Sequence, residues 1–226
     1  MVPGARLVML GKQGAGKGTQ CVRLSRHYVV PHISTGDMFR AAVKTGTDLG
    51  SKVQSFLDAG ELIPDDLVIS VIAERLTHHD TLGRGFVLDG FPRTVHQADV
   101  LNKIVEPHKI DLVVNISVPT EMVLERLATR MVCVDCQTNY SPQQMPKVNG
   151  LCDVCGGEVI SRRDDNEKAI KMRLELYETQ TNPLLDYYGS RGILLEVDGT
   201  GPVDDVTLGL IQGIDEVLTH ARQESR

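Results

Sequence analysis

The stretch Gly11-Lys12-Gln13-Gly14-Ala15-Gly16-Lys17-Gly18-Thr19 decides how the rest of the chain is interpreted. It lies between an apolar run at 7–10 and a helix-like segment at 17–28, which predicts a strand, a glycine-rich turn and a helix start. Glycines let the backbone wrap around an anion, and the helix N-terminus adds partial positive charge. Lys17 supplies a full charge, and Thr19 supplies a hydroxyl suited to magnesium or phosphate. The stretch therefore predicts a cradle for a nucleoside triphosphate, and the alternative is a glycine-rich turn without a ligand.

Length and composition indicate an ordinary globular protein. The 226 residues suffice for one α/β domain with insertions or for two small domains. No apolar run approaches the roughly 18 residues of a membrane-spanning helix. The phosphate loop begins at residue 11, which leaves no room for a cleavable signal peptide, so we expect a cytoplasmic protein. A net charge of −6 disfavours a general binder of nucleic acid.

Strand-like and helix-like segments alternate along the chain. Apolar runs of strand length lie at 6–10, 85–88, 112–117 and 193–197. Amphipathic helical stretches lie between and after them at 65–78, 95–106, 120–130, 166–188 and 204–221. The alternation predicts a parallel sheet with helices on both faces and a ligand at the carboxyl ends of its strands. Pro183 should end or kink the long stretch that begins near Asn166.

Two segments interrupt this alternation. The helical insertion, residues 34–63, has helix-like patterns and no good strand. The cysteine insertion, residues 130–165, is rich in Cys, Pro, Gly, Asn and Gln and shows little periodicity. We expect both to stand on a core that carries the phosphate loop and is formed by residues 1–33, 64–129 and 166–226.

The cysteine insertion contains two matched pairs, Cys133-x2-Cys136 and Cys152-x2-Cys155, which are separated by fifteen residues. This spacing is typical of a zinc ribbon, in which two tight turns offer four thiolates to one ion. The alternatives are two disulfides, which conflict with an intracellular protein, or four unpaired thiols. Four cysteines complete the coordination sphere, so the metal should be structural. Lys147 is the only basic residue between the outer cysteines, which disfavours a ribbon that binds nucleic acid.

The run Asp89-Gly90-Phe91-Pro92-Arg93-Thr94 leaves a strand that is predicted to be buried. Asp89 at the strand end is placed to hold magnesium through water, and its alternative role is to cap the next helix. Arg93 is a stronger candidate for phosphate than an isolated surface arginine, because a guanidinium donates two hydrogen bonds at once and stays charged. The run therefore predicts a second anion site beside the phosphate loop.

Arginines also flank the cysteine insertion. Arg126 and Arg130 are four residues apart, so they share one helix face, and they lead into the insertion that Arg162 leaves. An insertion with arginines at both ends predicts a lid that closes on phosphates.

These motifs together closely resemble the adenylate kinase family, in its long-lid bacterial form with a zinc-binding lid. The resemblance covers residues 5–202, with matching segments at 11–19, 34–40, 60–65, 89–94 and 162–165. It implies the P-loop nucleotide-kinase fold, a five-stranded parallel sheet flanked by helices. The helical insertion would be the AMP-binding lobe, and the cysteine insertion would be the zinc-ribbon-like lid.

The resemblance also implies an activity, reversible phosphoryl transfer from Mg-ATP to AMP that gives two ADP and serves adenine nucleotide homeostasis. The catalytic residues would be Lys17, Asp89, Arg93, Arg126, Arg130, Arg162 and Arg173. The ATP-binding residues would be Gly14, Ala15, Gly16, Lys17, Gly18, Thr19, Arg126, Arg130, Thr138, Tyr140 and Gly201. The AMP-binding residues would be Thr35, Arg40, Glu61, Leu62, Ile63, Gly90, Arg93, Gln97, Arg162 and Arg173. The zinc ligands would be Cys133, Cys136, Cys152 and Cys155, in a monomer that needs neither membrane nor nucleic acid.

Two residues of the phosphate loop depart from the family pattern. Lys12 and Gln13 stand where the family more commonly has Ala-Pro. Because proline fixes φ, Gln13 predicts a less rigid loop. Lys12 either adds positive charge near the phosphates or points to solvent.

Two rival functions share part of this pattern. A kinase for UMP, CMP or GMP would have the same fold and reaction, but the long lid and the pair Thr35 and Gln97 favour AMP. Gln97 could also be a plain exposed helix residue. A regulatory ATP-binding switch is disfavoured by Arg40 and Arg93, because a switch needs no second phosphate site.

Overall fold

A computed structural model describes residues 4–142, 144–162 and 164–224, with side chains described as far as residue 220. The outer ends of the predicted core, 1–3 and 225–226, and positions 143 and 163 of the cysteine insertion lie outside the described residues.

The described elements alternate as the sequence predicts. In chain order they are β1 (Ala5–Leu10), α1 (Lys17–Tyr28), β2 (His32–Ser34), α2 (Thr35–Lys44), α3 (Asp48–Ala59), α4 (Asp65–Leu76), α5 (His79–Leu82), β3 (Gly85–Asp89), α6 (Val95–Ile104), β4 (Leu112–Ser117), α7 (Thr120–Ala128), β5 (Met131–Cys133), β6 (Asn139–Tyr140), β7 (Val159–Ser161), α8 (Glu167–Leu176), a π-helical turn (Tyr177–Thr181), α9 (Pro183–Gly189), β8 (Leu194–Asp198) and α10 (Val203–Glu224).

Five parallel strands form the central sheet in the order β2-β3-β1-β4-β8, which confirms the α/β fold and the five-stranded sheet. The strand β1 is central, with Leu7 opposite Val87 on one side and Leu112 on the other. The sequence patterns predicted four of these strands and did not predict β2. That strand has three residues, of which only Ile33 is buried, so it carries too short an apolar run to be recognised.

The sheet is covered on both faces by helices. Successive side chains of a strand point to opposite faces, so Leu7 and Met9 join one apolar cluster and Val8 and Leu10 join the other. The first cluster includes residues of α1, α7 and α10, and the second includes residues of α2, α3, α4, α6 and α9. Leu10, Ser34 and Asp89, which end three of the strands, line a cleft at the carboxyl edge of the sheet.

The helical insertion consists of the closely packed helices α2 and α3. Ser34 and Thr47 cap them, because each hydroxyl accepts a hydrogen bond from a backbone N–H of the first turn. A Cβ at Gly50 would lie 2.2 Å from the carbonyl oxygen of Ala42, so only glycine permits this approach of the two helices. Phe39 and Val53 from this insertion are buried in the second cluster of the core.

The cysteine insertion forms a separate antiparallel sheet in the order β6-β5-β7. Its buried cluster consists of Cys133, Tyr140, Cys152 and Val159, with Met131 packed against it. The insertion therefore has very little apolar core of its own.

The predicted long helix beginning near Asn166 is interrupted, as Pro183 led us to expect. The side chain of Asn166 caps α8, and the π-helical turn follows α8. Pro183 is then at the first turn of α9, where a missing N–H leaves no intrahelical hydrogen bond unmade. Across the described helices, α10 included, none combines the length and the apolar character that crossing a membrane would require.

Candidate functional site

A cleft of about 1230 Å³ lies at the carboxyl ends of the strands, between the core and the two insertions. The phosphate loop, the loop after β3 and the ends of both insertions line it. It therefore brings together nearly all of the residues that the sequence predicted for the site. Thr138 is the predicted residue that is absent from the cleft wall.

The phosphate loop has the geometry of an anion cradle. Gly14 and Gly16 have φ values of 84° and 101°, which side chains other than glycine rarely adopt. Gly16 caps α1, so the first N–H groups of that helix face the loop. A Cβ at Gly11 would lie 2.6 Å from the carbonyl oxygen of Ile116 on β4, which fixes the loop against the sheet.

Lys17 is folded back across this loop. Its Nζ donates hydrogen bonds to the carbonyl oxygens of Gly11 at 2.6 Å and Lys12 at 2.9 Å. Burial lowers the pKa of Lys17, and the charge of Asp89 opposes that decrease. The ammonium is therefore held at the loop, and among the described residues no carboxylate forms an ion pair with it.

Asp89 ends β3, next to the start of α1. A Cβ at Gly18 would lie 3.7 Å from its Oδ2. The Nε2 of His32 on β2 lies 3.9 Å from the same oxygen. Burial opposes ionisation of Asp89, but the nearby His32 and the charge of Lys17 outweigh burial, so its pKa is lowered. Sequence reasoning missed His32 because the pairing of β2 with β3 was not recognised.

Arg93 lines the cleft in the loop after β3. Its Nε donates to the carbonyl oxygen of Gly90 at 2.9 Å, and the hydroxyl of Thr35 donates to the same oxygen at 3.0 Å. Within the described residues no carboxylate forms an ion pair with Arg93. Burial lowers its pKa to about 10, so the side chain stays charged at neutral pH.

Gln97 is buried, not exposed on its helix as the alternative interpretation held. Its Oε1 accepts from the backbone N–H of Arg93 at 2.8 Å, and its Nε2 donates to Asp65 at 2.6 Å. Asp65 was not among the predicted site residues, although it ends the matching segment at 60–65. The helical insertion supplies Glu61, Leu62 and Ile63 to the same part of the cleft wall.

Two buried aspartates, Asp164 and Asp165, hold four of the predicted arginines. Asp164 accepts two hydrogen bonds from Arg162, at 2.7 and 3.0 Å, and one from Arg173 at 2.8 Å. Arg40 contacts Asp37 and lies 3.8 Å from Asp164. Burial opposes ionisation of Asp164, but Arg162 and the other arginines hold its pKa well below the usual range. Three arginines therefore cluster around the single carboxylate of Asp164.

The same arrangement recurs at Asp165. Arg130 donates two hydrogen bonds to this carboxylate, each at 2.6 Å, and Arg173 donates one at 3.4 Å. Burial and the neighbouring Arg162 lower the pKa of Arg130 to about 10. Sequence reasoning did not assign Asp164 or Asp165, and the adjacent pair of acidic residues after Arg162 was the available signal.

Arg126 lies on the other side of the phosphate loop. Its guanidinium donates to the carbonyl oxygens of Gly199 at 2.9 Å and Ala15 at 3.4 Å. Gly201 lines the cleft beside it. Arg126 and Gly201, both predicted to bind ATP, therefore lie near the end of β8.

The cysteine insertion contributes Asn139 and Tyr140 to the cleft wall. The Tyr140 hydroxyl donates to the sulfur of Cys152 at 3.3 Å and accepts from the N–H of Asp153 at 2.8 Å. The Thr138 hydroxyl lies 3.0 Å from the sulfur of Cys136, away from the cleft. Asn139 was not predicted.

The four cysteines of the insertion form one cluster of free thiols, so the disulfide alternative is not realised. All four sulfur atoms lie within 4.8 Å of one another, and the pairs Cys133–Cys155 and Cys136–Cys152 are 3.4 Å apart. A tetrahedral ion with metal–sulfur bonds of about 2.3 Å would place its sulfurs about 3.8 Å apart. The cluster therefore fits a four-thiolate metal site.

Lys12 does not line the cleft. Its Nζ donates to the hydroxyl of Thr120 at 2.8 Å and forms an ion pair with Glu178 at 3.1 Å. Gln13, by contrast, lines the cleft and donates to Asp165 at 2.8 Å. Of the two residues that differ from the family pattern, Gln13 therefore lines the cleft and Lys12 does not.

Comparison with known proteins agrees with this geometry. The family model for adenylate kinase matches residues 9–193. The adenylate kinase of Lachnospira eligens is 45% identical over 210 residues, which cover 92% of this chain and 98% of that protein. The adenylate kinase of Thermodesulfovibrio yellowstonii is 48% identical over 204 residues, 89% of this chain and 94% of that protein. That of Staphylococcus epidermidis is 42% identical over 214 residues, 93% of this chain and 99% of that protein. The chain therefore belongs to the adenylate kinase family.

Proposed function

We propose that this protein transfers the γ-phosphoryl group of ATP to AMP reversibly and gives two ADP. One observation carries the proposal. A single cleft contains an anion cradle with Lys17 and a separate arginine, Arg93, which forms no ion pair with a carboxylate of the described residues. Two phosphate sites in one cleft suit a transfer between two nucleotides, and a switch that binds only ATP would need one.

The donor nucleotide is assigned to the phosphate loop. The backbone N–H groups at 14–19 and the Nζ of Lys17 would hold its phosphates. Arg126, Gly201 and Tyr140 would lie along the rest of ATP. Thr138 stays a prediction of the resemblance, because its hydroxyl faces Cys136 and not the cleft.

The acceptor nucleotide is assigned to the helical insertion and the loop after β3. Arg40 and Arg93 would bind the AMP phosphate, Thr35 and Gly90 would lie beside it, and residues 61–63 would line the adenine. The amide of Gln97 would read the adenine edge after exchanging its hydrogen bond with Asp65. This polar, directional group favours AMP over the pyrimidine monophosphates.

The chemistry needs no protein base, because the attacking AMP phosphate is already an anion. Catalysis would come from holding the two nucleotides in line and from stabilising the charge that develops on the transferred group. Arg130, Arg162 and Arg173 line the same cleft and would surround the transferred phosphoryl group. They would exchange part of their contacts with Asp164 and Asp165 for phosphate oxygens.

Magnesium would accompany ATP. Asp89 and the Thr19 hydroxyl supply the oxygen ligands that Mg²⁺ prefers, directly or through water. When bound, the ion screens the phosphate charges and orients them. The lowered pKa of Asp89 keeps its carboxylate ionised for this role at neutral pH.

Zinc is proposed as the ion of the cysteine cluster. Four thiolates suit Zn²⁺ and leave no position open for a substrate, so the ion would be structural. The cysteine insertion would then close over the phosphates and exclude water, which is a competing acceptor. We further propose a monomer that acts in the cytoplasm without a membrane. The net charge of −6 disfavours nucleic acid as a partner.

The test is an assay of ADP formation from Mg-ATP with AMP, UMP, CMP or GMP in turn. We expect turnover with AMP and little with the others. Faster turnover with another monophosphate would support the rival kinase, and no turnover with any would support the switch.

Two variants locate the activity in the cleft. Lys17→Met and Arg93→Ala should each lose about three to five orders of magnitude in rate, the range measured for arginines that stabilise phosphoryl transfer. Arg75→Ala is the matched control, because Arg75 pairs with Asp80 outside the cleft. Near-normal turnover of either cleft variant, with folding intact, would overturn the assignment.

A further inference from the structure

A hydrogen bond joins the phosphate loop to the end of the cysteine insertion. The Nε2 of Gln13 donates to the Oδ1 of Asp165 at 2.8 Å, across 152 positions of the sequence. The other end of the amide, Oε1, is buried and has no hydrogen-bond partner among the described residues. A buried acceptor without a partner, in a cleft lined by arginines, indicates that the role of this side chain is completed only when a ligand binds.

Asp165, which accepts this hydrogen bond, is a buried carboxylate that also binds arginines. Its side chain is 4% exposed, and it anchors Arg130 through two hydrogen bonds of 2.6 Å. Arg173 also reaches it, at 3.4 Å. Three side chains therefore share one buried carboxylate, and two of them are arginines assigned to phosphate.

Nucleotide phosphates and Asp165 compete for these arginines. When Arg130 and Arg173 turn towards phosphate, a buried carboxylate loses donors, and an unsatisfied buried charge is strongly destabilising. The amide of Gln13 is neutral, so phosphate attracts it less strongly than it attracts the two guanidinium groups. It also originates in the loop that cradles the donor phosphates, so it stays beside them.

We propose that Gln13 is a positioning residue, which keeps Asp165 in place at the phosphate loop while Arg130 and Arg173 engage the transferred phosphoryl group. This inference rests on the proposed function. The free Oε1 of Gln13 can accept an N–H from Arg130 or Arg173 as these arginines move. The same amide would then bond to Asp165 through its Nε2 and to an arginine through its Oε1. Gln13 thereby couples closure of the cysteine insertion to the phosphate loop.

Lys12 provides a matched control in the same loop. Its partners, Thr120 and Glu178, lie on the side facing away from the cleft. Replacing it disturbs the loop without touching Asp165.

The first test is Gln13→Met, which keeps the length of the side chain and removes its hydrogen bonds. A hydrogen bond to a charged group is worth roughly a tenfold effect or more. We therefore expect kcat to fall about tenfold, with the KM for AMP unchanged because Gln13 does not contact the helical insertion. Lys12→Met should keep kcat within about twofold. An unchanged kcat for Gln13→Met would overturn the inference, as would an equal fall for Lys12→Met.

The second test asks whether Gln13 acts through Asp165. In the Asp165→Asn background, Gln13→Met should cause no further fall in kcat, because the anchor is already altered. The same tenfold fall in both backgrounds would mean that Gln13 acts through loop conformation alone and would overturn the inference. If Gln13→Met does not fold, Gln13→Asn replaces it, since that amide is one methylene too short to reach Asp165.

The outcomes separate this inference from the proposed function. Wild type and Lys12→Met without ATP:AMP turnover would overturn the function itself. An active wild type with an equally active Gln13→Met would overturn only the role of Gln13.

Discussion

The two insertions that enclose the cleft are stabilised in different ways. The helical insertion is continuous with the main core, because Phe39, Val53 and Ile63 are buried in the same cluster as Val8 of the central strand. The cysteine insertion packs as a separate unit whose buried cluster of four residues includes two thiols. One insertion therefore depends on the sheet, and the other has four clustered thiols and little apolar core.

The energies make the difference concrete. Burying a valine-sized side chain contributes about 1.5–3 kcal/mol to stability, so Tyr140 and Val159 offset little of the conformational entropy that the cysteine insertion loses on folding. A structural zinc ion contributes about 10–16 kcal/mol in small zinc domains, more than these two side chains together. The helical insertion needs no such ion.

Removing the metal should have the largest effect and should separate the two insertions. Incubation with a strong chelator is expected to unfold the cysteine insertion, because its core is too small to keep it folded without the proposed ion. The main thermal transition, which belongs to the core, should persist. The separate transition at lower temperature that belongs to the cysteine insertion should disappear. Calorimetry and protease digestion measure both. A melting profile and digestion pattern that chelation leaves unchanged would contradict a structural metal site.

Truncating Phe39 tests the other half of the comparison. Phe39→Ala should lower the free energy of unfolding of the core by about 3–5 kcal/mol, because it leaves a cavity in the main cluster. Its metal content should stay that of the wild type. Urea denaturation and metal analysis provide the measurements, with Val154→Ala as the control because Val154 is exposed on the cysteine insertion. A loss confined to the helical insertion would show that it is not part of the core.

The smallest effect is expected at the contact between the two insertions. The Nζ of Lys44 lies 2.7 Å from a carboxylate oxygen of Asp135 and 3.0 Å from the carbonyl oxygen of Val134, between the first two cysteines. Both charged side chains are 54% exposed, and exposed ion pairs contribute about 0–1 kcal/mol.

Lys44→Met should therefore change kcat/KM by no more than about fivefold, and less at high salt. Steady-state kinetics at two salt concentrations measure the effect. Lys52→Met is the control, on an exposed position of α3. A loss beyond tenfold would mean that this contact, and not the arginine cluster, governs closure.

Local patterns predicted the parts of the site that lie close together in sequence. The phosphate loop is one continuous stretch, and the cysteines come in two tight turns, so spacing alone indicated their chemistry. The arginines were found as residue types suited to phosphate. Their counter-ions, Asp164 and Asp165, were not assigned, because which charges meet depends on how the cysteine insertion folds back onto the core.

Contacts between distant segments could not be predicted from the sequence for the same reason. His32 meets Asp89 only because β2 pairs with β3, and β2 is too short to be recognised. Lys12 was expected near phosphate or in solvent, and it instead forms an ion pair with Glu178 in the π-helical turn. The partner of Gln13 lies at the far end of the cysteine insertion. No periodicity along the chain predicts such meetings.

The central claim is that the cleft transfers phosphoryl from ATP to AMP and keeps it from water. The most direct measurement follows the label of γ-³²P-ATP in a single turnover, with and without AMP. We expect the label to appear in ADP only when AMP is present, with negligible release of inorganic phosphate. Label released as inorganic phosphate, or ADP labelled without AMP, would contradict it.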